Sequence, residues 1–553
     1  MKLRTSFFNT AVLKKDITRF APAWGLYLTA MLLLMVTITE ENYDLAGTLG
    51  VTINLLSIVN LGYALVCAAL VFGDLFNSKL CNALHAMPMR REGWFLTHLV
   101  SGLMFSVVPN LVVGLCLMPR LGVYWFVSLI WVGGMTATYL FFFGVAVLSA
   151  MCTGSRFAMT LVYGLINFLS ILVMWVIQYL FIPLLYGVEV KEELFIFLSP
   201  VSYLCSHELN YLNFLDKITG YYNPNNGWPY TLSIGAIGLV MLIGSLLIYR
   251  KRQLESAGDF ITLRALSPVF LVLYTLAAGV FLFIFSSVFG IEKEYLFLAV
   301  GIVAGFITGQ MLLKRTVRIF KPATILGLAM MLLVIFGSLG MAKMDVLGMV
   351  RWVPKAENVR AVSVGYGTDV YIRDEYAYTT AKQAEIRELI ALHEAMLEQR
   401  EDAPTWVSKF ELTYTMEDGR IITRSYPMHY TTQASHDAAR WLSRPEYVLQ
   451  TDDVAALADR LNYIMVDFHD GKNTIPLVGD EAQELLAAII ADCEAGNMVT
   501  DGYYHGLDDT AEFMNGDISL SFMNPDHDVF LSLWSSQKNT LAWLREHGFE
   551  REA

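Results

Sequence analysis

Three short clusters in the last hundred residues carry the side chains that could do chemistry: Asp467/His469/Asp470, Asp508-Asp509 and Asp526/His527/Asp528. Carboxylates beside an imidazole can serve acid–base catalysis or hold a hard cation. None of the three has the HExxH spacing that puts two imidazoles and a general base on one helix face. None sits in the GxSxG turn that exposes a nucleophilic serine. A loose Ca²⁺ loop at Asp526–Asp528 and an acidic loop that is merely solvated are both compatible with the residues. Trp406, Tyr503, Tyr504 and Trp534 read as core or hairpin packing. The glycine-rich GxxxxGK[ST] loop that cradles nucleotide phosphates does not occur. We therefore expect no catalytic residue, no metal site and no cofactor held by this chain.

The elements that must position everything else divide near Met341. Before it lie nine apolar runs: residues 23–39, 51–72, 94–118, 123–151, 157–186, 231–249, 269–291, 295–313 and 323–341. Most approach or exceed the roughly 20 residues that cross a bilayer, and a backbone in lipid must satisfy its own hydrogen bonds as helix. After Met341 no run of that length follows. The chain has 39 Lys+Arg and 51 Asp+Glu, a net charge of −12. Residues 343–553 carry 18 basic and 36 acidic side chains, leaving 21 and 15 for residues 1–342. An acidic domain is a poor partner for nucleic acid. Six thinly spread cysteines exclude a disulfide scaffold, although a Cys205–Cys493 bridge is conceivable.

Basic residues set the expected topology. With a cytoplasmic N-terminus, the cytoplasmic segments hold 17 Lys+Arg and the opposite loops 4. Nine spans then deliver the acidic domain to the outside of the cell membrane. The spans are nearly free of ionisable groups, which argues against ion-coupled transport; Asp74 and His98 read as interfacial residues. Gly301, Gly305 and Gly309 flatten one face of the eighth span for close helix packing.

Two segments read as contact devices. Residues 76–87 predict a short amphipathic helix, with Phe76, Leu80, Ala83, Leu84 and Met87 on one stripe and Asn77, Lys79, Asn82 and His85 on the other. Pro88 ends it, and Arg90, Arg91 and Glu92 lead into the third span. The helix is either a plain connector or a docking element for a cytoplasmic partner. Earlier, Leu13, Ile17 and Phe20 oppose Lys14, Lys15 and Arg19, a helix suited to the anionic inner leaflet.

The run FGDLFNSKLCNALHAMPMRREGWFLTHLVSG (72–102) resembles the loop between the second and third spans of ABC-2-type permeases of ATP-binding-cassette transporters, in which Gram-positive members often end the loop in Leu/Met-Pro and basic residues. YRKRQLESAGDF (249–260) is similar to the Tyr-x-x-Arg-x-x-Glu-x-Ala-Gly pattern after their sixth span, with Tyr249, Arg252, Glu255 and Gly258 in those places. LSPVSYL (198–204) is similar to the segment before it. The resemblance covers residues 1–265 best. It implies a polytopic α-helical membrane protein of about nine spans: an elbow segment (1–22), a six-helix permease core (23–249), three added helices (250–341) and an α+β extracytoplasmic domain (342–553), an appendage some Gram-positive members carry. It implies a coupling helix at Phe76–Met87 seated on separate ATPase subunits that bind ATP and Mg²⁺. It also implies a homodimer or a second permease subunit, and export from the cell membrane.

The lack of both a nucleotide loop and coupling charges fits energy arriving through such a contact, and suggests hydrophobic or amphipathic cargo. The competing expectation is a membrane sensor whose outer domain binds a peptide, lipid or wall fragment without transport. An external hydrolase on an anchor is disfavoured, since nine spans exceed an anchor's need.

Within the acidic domain, VRAVSVGY and DVYIR predict a strand pair around Gly365 and Gly367, and residues 409–430 a hairpin around Glu417-Asp418-Gly419. Residues 381–400, 479–495 and 537–547 predict helices, and 517–523 and 528–533 strands.

Overall fold

The computed structural model describes residues 8–41, 45–85, 90–121, 125–206, 211, 227–253, 257–291, 293–367, 378–400, 409–428, 432–442, 444, 463–467, 474–495, 497, 519–523, 529–532 and 537–548. It divides into two compact units. One holds residues 1–180 and 191–337; the other holds 181–190 and 338–553.

Among its described residues the first unit is helical, apart from a single antiparallel bridge between Thr153 and Ile261. Helix α1 (Thr10–Arg19) is capped by Asn9, whose side chain accepts from the Ala11 and Val12 amides. It meets α2 (Ala21–Glu41) at a 60° bend. Then come α3 (Leu45–Val71), the short α4 (Ser78–His85), α5 (Arg91–Leu121) and α6 (Phe126–Cys152). The fifth predicted span is broken: α7 (Arg156–Asn167) and α8 (Leu169–Trp175) belong to a pair bent by 59°. Beyond α8 a π-turn at Val176–Phe181 tightens into a 3₁₀ turn at Ile182–Leu184, where Pro183 has no amide to continue the ladder. Two short helices, α9 (Glu193–Phe197) and α10 (Pro200–Ser206), precede α11 (Gly227–Lys251), α12 (Ser267–Val288), α13 (Glu294–Lys314) and α14 (Pro322–Lys343).

Seven of these helices are long and apolar enough to cross a membrane, and up to nine spans result if each bent pair is one. Burial ranks them. The apolar window of α6 is 78% buried and that of α14 only 11%, so α6 is the axis of the bundle and α14 its periphery. Trp131, Tyr139, Phe142 and Phe143 of α6 are wholly enclosed. Outward faces are apolar, with Leu26, Leu115, Val240 and Leu333 all well exposed, a surface suited to lipid. Polar groups inside pair with one another. Asn60 donates to Thr138 Oγ1 (2.8 Å) and Met135 O (3.2 Å), and Tyr27 donates to Asn110 Oδ1 (3.0 Å). Trp131 donates to Thr52 Oγ1 (3.1 Å).

Close backbone approach recurs at glycine. A Cβ on Gly301 would lie 2.6 Å from Ala278 O of α12, one on Gly305 2.7 Å from Ala278 Cβ, and one on Gly309 2.9 Å from Leu271 Cδ1. All three expected packing glycines therefore face α12. Gly144 of α6 and Gly238 of α11 do the same for each other's helices, with a Cβ on Gly144 2.6 Å from Gly238 O.

The second unit is α+β, with two antiparallel four-stranded sheets. The first has order β2-β1-β3-β4, from β1 (Val359–Gly367), β2 (Tyr378–Thr380), β3 (Lys409–Met416) and β4 (Ile421–Pro427). The second has order β6-β5-β7-β8, from β5 (Tyr463–Asp467), β6 (Thr474–Val478), β7 (Ser519–Met523) and β8 (Val529–Ser532). Helices α15 (Gln383–Glu398), α16 (Gln433–Leu442), α17 (Asp480–Glu494) and α18 (Lys538–Glu546) share their core. The expected hairpin forms. Its turn holds Gly419 in the left-handed region, which favours glycine. The turn expected at Gly365 and Gly367 does not form: both lie in β1, which pairs with Tyr378–Thr380, and DVYIR lies outside the described residues.

The unit also takes in residues 181–190. Val188 forms an antiparallel bridge with Arg424 on β4, and the Ser425 amide donates to Gly187 O (3.2 Å). Gly187 has a positive φ and lies against the Tyr426 ring, where a Cβ would collide with it. The Arg400 guanidinium stacks over the Tyr186 ring.

Candidate functional site

The site is a junction of helix ends in the first unit, where both sequence-singled segments meet. Helix α3 ends in a 3₁₀ turn, Gly73–Phe76, before Asn77 and α4. Asn77 Oδ1 accepts from the Lys79 and Leu80 amides, which starts α4 at Ser78, so the predicted single helix from Phe76 is two pieces. Phe76 is half-buried against the bundle core, whereas Leu80 is 46% exposed beside exposed Lys79. The stripe is thus divided: its first member packs inward and Leu80 points out. Leu84 lies in α4 with only its backbone described; Met87 and Pro88 lie outside the described residues.

Arg252, one residue past α11, ties these ends together. Its Nη1 donates to Ala150 O (2.7 Å) and Met151 O (3.3 Å), and its Nη2 to Leu75 O (3.4 Å). The last carbonyls of a helix have no intrahelical donor, and a guanidinium fork suits them in charge and shape. Arg252 is 4% exposed, and all three of these partners are backbone. Tyr249 is buried one turn earlier, stacked on Trp94 and Phe95 of α5 at 5.7 and 5.6 Å. Arg250 Nε lies 3.3 Å from Glu92 Oε1. Glu92 also stands in the first turn of α5, where a carboxylate complements the helix dipole. Arg90 is exposed and Arg91 half-exposed at the same helix start.

Beyond Arg252 the chain pairs with the α6–α7 linker. The Gly258 amide donates to Gly154 O (2.7 Å), the Gly154 amide to Asp259 O (2.9 Å) and the Thr262 amide to Cys152 O (2.9 Å). Gly258 has φ +99°, a conformation that L side chains rarely adopt. The Ala-Gly step of the motif is therefore a backbone requirement. Glu255 lies outside the described residues.

One pair at this end had no counterpart in the sequence reading. His98 is 2% exposed, with Asp16 Oδ2 of α1 2.7 Å from Nδ1, close but oblique to the ring N–H. Ser101 donates to the same carboxylate oxygen (3.1 Å), and the Asn9 amide to Thr97 Oγ1 (3.2 Å). Helix α1 is thereby pinned to α5 by a buried ionisable pair. The signal was present, because Asp16 falls on the Leu13/Ile17/Phe20 face, where a charge needs a partner.

The second unit brings no catalytic set together among its described residues. His469, Asp470, Asp508, Asp509, Asp526, His527 and Asp528 lie outside them, as do Trp406, Tyr503, Tyr504 and Trp534. Among the described residues no three metal-ligating side chains converge. Cys205 and Cys493 are not joined in a disulfide. Two buried polar residues organise the core instead. Asp492 accepts from the Asn539 amide (3.0 Å), the Thr540 amide (2.7 Å) and Thr540 Oγ1 (2.8 Å). It thus caps α18 from a neighbouring helix. His393 is wholly buried, 3.0 Å from Tyr414 Oη. Burial, with the nearby Arg424 charge, presses its pKa down to about 3.

Set against family models, curated proteins and solved structures, the chain matches none.

Proposed function

We propose that this chain is the membrane permease subunit of an ATP-binding-cassette exporter of the ABC-2 type. It works as a homodimer or beside a second permease, and two cytoplasmic ATPase chains supply ATP, Mg²⁺ and hydrolysis. The cargo is hydrophobic or amphipathic: lipid, peptide or drug-like. The observation that carries this reading is the Arg252 clamp. A partner pushing on α4 would move Leu75, and Arg252 would pass that displacement to the ends of α6 and α11, the central helix and its closest neighbour. Such a joint is what an outside source of mechanical work requires. Leu80 and Lys79 are the exposed face on which the partner would sit.

Orientation in the cell membrane, with the N-terminus cytoplasmic and the α+β unit extracellular, rests on the distribution of basic residues. The bridge from Val188 to Arg424 supports the parity. If both flanking stretches are spans, the bridge is compatible with exits of the fifth and ninth predicted spans on one side, which the four spans between them would allow.

The test is co-purification of the full chain with a candidate cytoplasmic ABC-type ATPase from the same organism. Leu80→Asp with Leu84→Asp should abolish recovery of the ATPase while leaving the permease folded. Undiminished recovery would refute the docking assignment. A sensor remains the second reading, favoured by residues 181–190: an external ligand altering β4 would act on the stretch that continues the broken α7–α8 pair. ATPase stimulation without any cargo movement into vesicles would select it.

A further inference from the structure

Directly after α14 the chain makes a tight, hydrogen-bonded turn whose apolar side chains are exposed. Leu347 is 83% exposed, Met344 71%, Val346 57% and Met349 42%. The exposure does not come from loose structure. The Met344 amide donates to Gly340 O (3.0 Å) and the Val346 amide to Met341 O (3.1 Å). These bonds close the helix end around Asp345, which takes the left-handed conformation common at such ends. The buried Asp345 carboxylate accepts from the Val350 and Arg351 amides (3.0 and 3.2 Å) and from Arg351 Nε (3.1 Å). Arg424 then fastens the turn to β4, donating to Met349 O (2.8 Å) and Trp352 O (3.2 Å). The second unit therefore holds four adjacent apolar side chains outward on a braced loop.

We infer that residues 344–349 are a foot that seats the second unit in the headgroup–acyl boundary of the bilayer, in the leaflet where α14 emerges. The inference rests on α14 being a membrane span. Its occupant is lipid rather than protein for three reasons. Helix α14 runs for 22 residues. At the usual helical rise it extends about 33 Å, already the hydrocarbon thickness, so the turn begins where the headgroups begin. The apolar surface is continuous with that of the helix, through Leu333, Val334 and Met341, all exposed. Lys343 and Arg351 flank the turn, long cations able to reach phosphate while their stems lie in the boundary. The foot would hold the β4 edge of the sheet at a set height above the membrane.

The test places an environment-sensitive fluorophore on the full chain in phospholipid nanodiscs, with Cys116→Ser and Cys205→Ser removing the exposed thiols. Probes go on Leu347→Cys, Val346→Cys, Leu333→Cys within α14, and Ile421→Cys at the start of β4. Shallow brominated lipids serve as quencher. Blue-shifted emission at 346 and 347, quenched several-fold more than at 421, is expected. Solvent-like, unquenched emission at 346 and 347 with quenching at 333 would overturn the foot alone. Absence of quenching at 333 as well would overturn the membrane span beneath it. Self-quenching that rises with protein per disc, without lipid quenching, would assign the patch to a second copy of this chain and overturn the proposal.

Discussion

Arg252 shows how much a single side chain can join. Lysine keeps the charge and three donors but loses the planar fork, in which Nη1 serves Ala150 and Met151 while Nη2 reaches Leu75 on the other side, so a single ammonium nitrogen cannot stand in both places. Arg252→Lys should lower stability by about 1–3 kcal/mol, the cost of leaving buried carbonyls short of a charged donor. If the chain is the proposed permease, Arg252→Lys in reconstituted complexes should cut cargo movement more than ATP hydrolysis; equal loss of both would mean the residue only holds the fold. His393 gives a second residue-scale expectation. Its folded pKa of about 3 lies below its ordinary 6.5, so the unfolded chain binds the proton first. The stability from this group is therefore full above pH 6.5 and falls as the pH drops toward 3, by about 2 kcal/mol at pH 5. Melting of the full chain between pH 7 and 5 should show that slope, and His393→Gln should remove it. Asp16, His98, His393 and Asp492 share a signature that sequence periodicity carries: each is a polar residue in the register of an apolar stripe. Their burial was legible, but their partners were not, because Asp16 finds His98 and Asp492 finds Thr540 only through the tertiary fold.

At the scale of elements, apolar run length and small-residue spacing were sufficient to place the long helices and the α12–α13 seam. The glycines on that seam are not equivalent. Alanine at 301 would press on the α12 backbone, whereas alanine at 309 meets the ends of Leu271 and Tyr274, which can turn aside. Gly301→Ala should destabilise by about 1–3 kcal/mol and Gly309→Ala by clearly less, read as detergent melting temperatures. A reversed order would show that the seam is looser than described. Breakage was not legible. The runs at 23–39 and 157–186 are smoothly apolar, yet the first adjoins a 60° bend and the second contains a 59° one. Apolar run length is blind to the direction of the axis. The strand turn was misplaced for a related reason: Gly365 and Gly367 suit a turn locally, but pairing with β3 along the length of β1 overrides them.

For the whole molecule, the division near Met341 was visible as a change from oily to acidic sequence. The membership of residues 181–190 in the second unit was not, since nothing in that stretch announces a partner more than two hundred residues away. It carries a labelling prediction. Lys191→Cys and Ile421→Cys should react together, or be protected together, when intact cells meet a membrane-impermeant maleimide. Reaction at one only would break the parity between the fifth and ninth predicted spans.

The strap at Gly187–Val188 also sets a timetable. β4 cannot be reached by Val188 until α9 to α14 have been made and the hairpin carrying Arg424 has followed them off the ribosome. The loop after the fifth predicted span must wait, unpaired, through the synthesis of everything between, and closing so long a loop comes late and slowly. The bridge is thus a final stitch. Chains stalled before residue 424 would leave residues 181–190 open to quality-control proteases, and completion of the sheet would mark the moment at which the molecule is sealed.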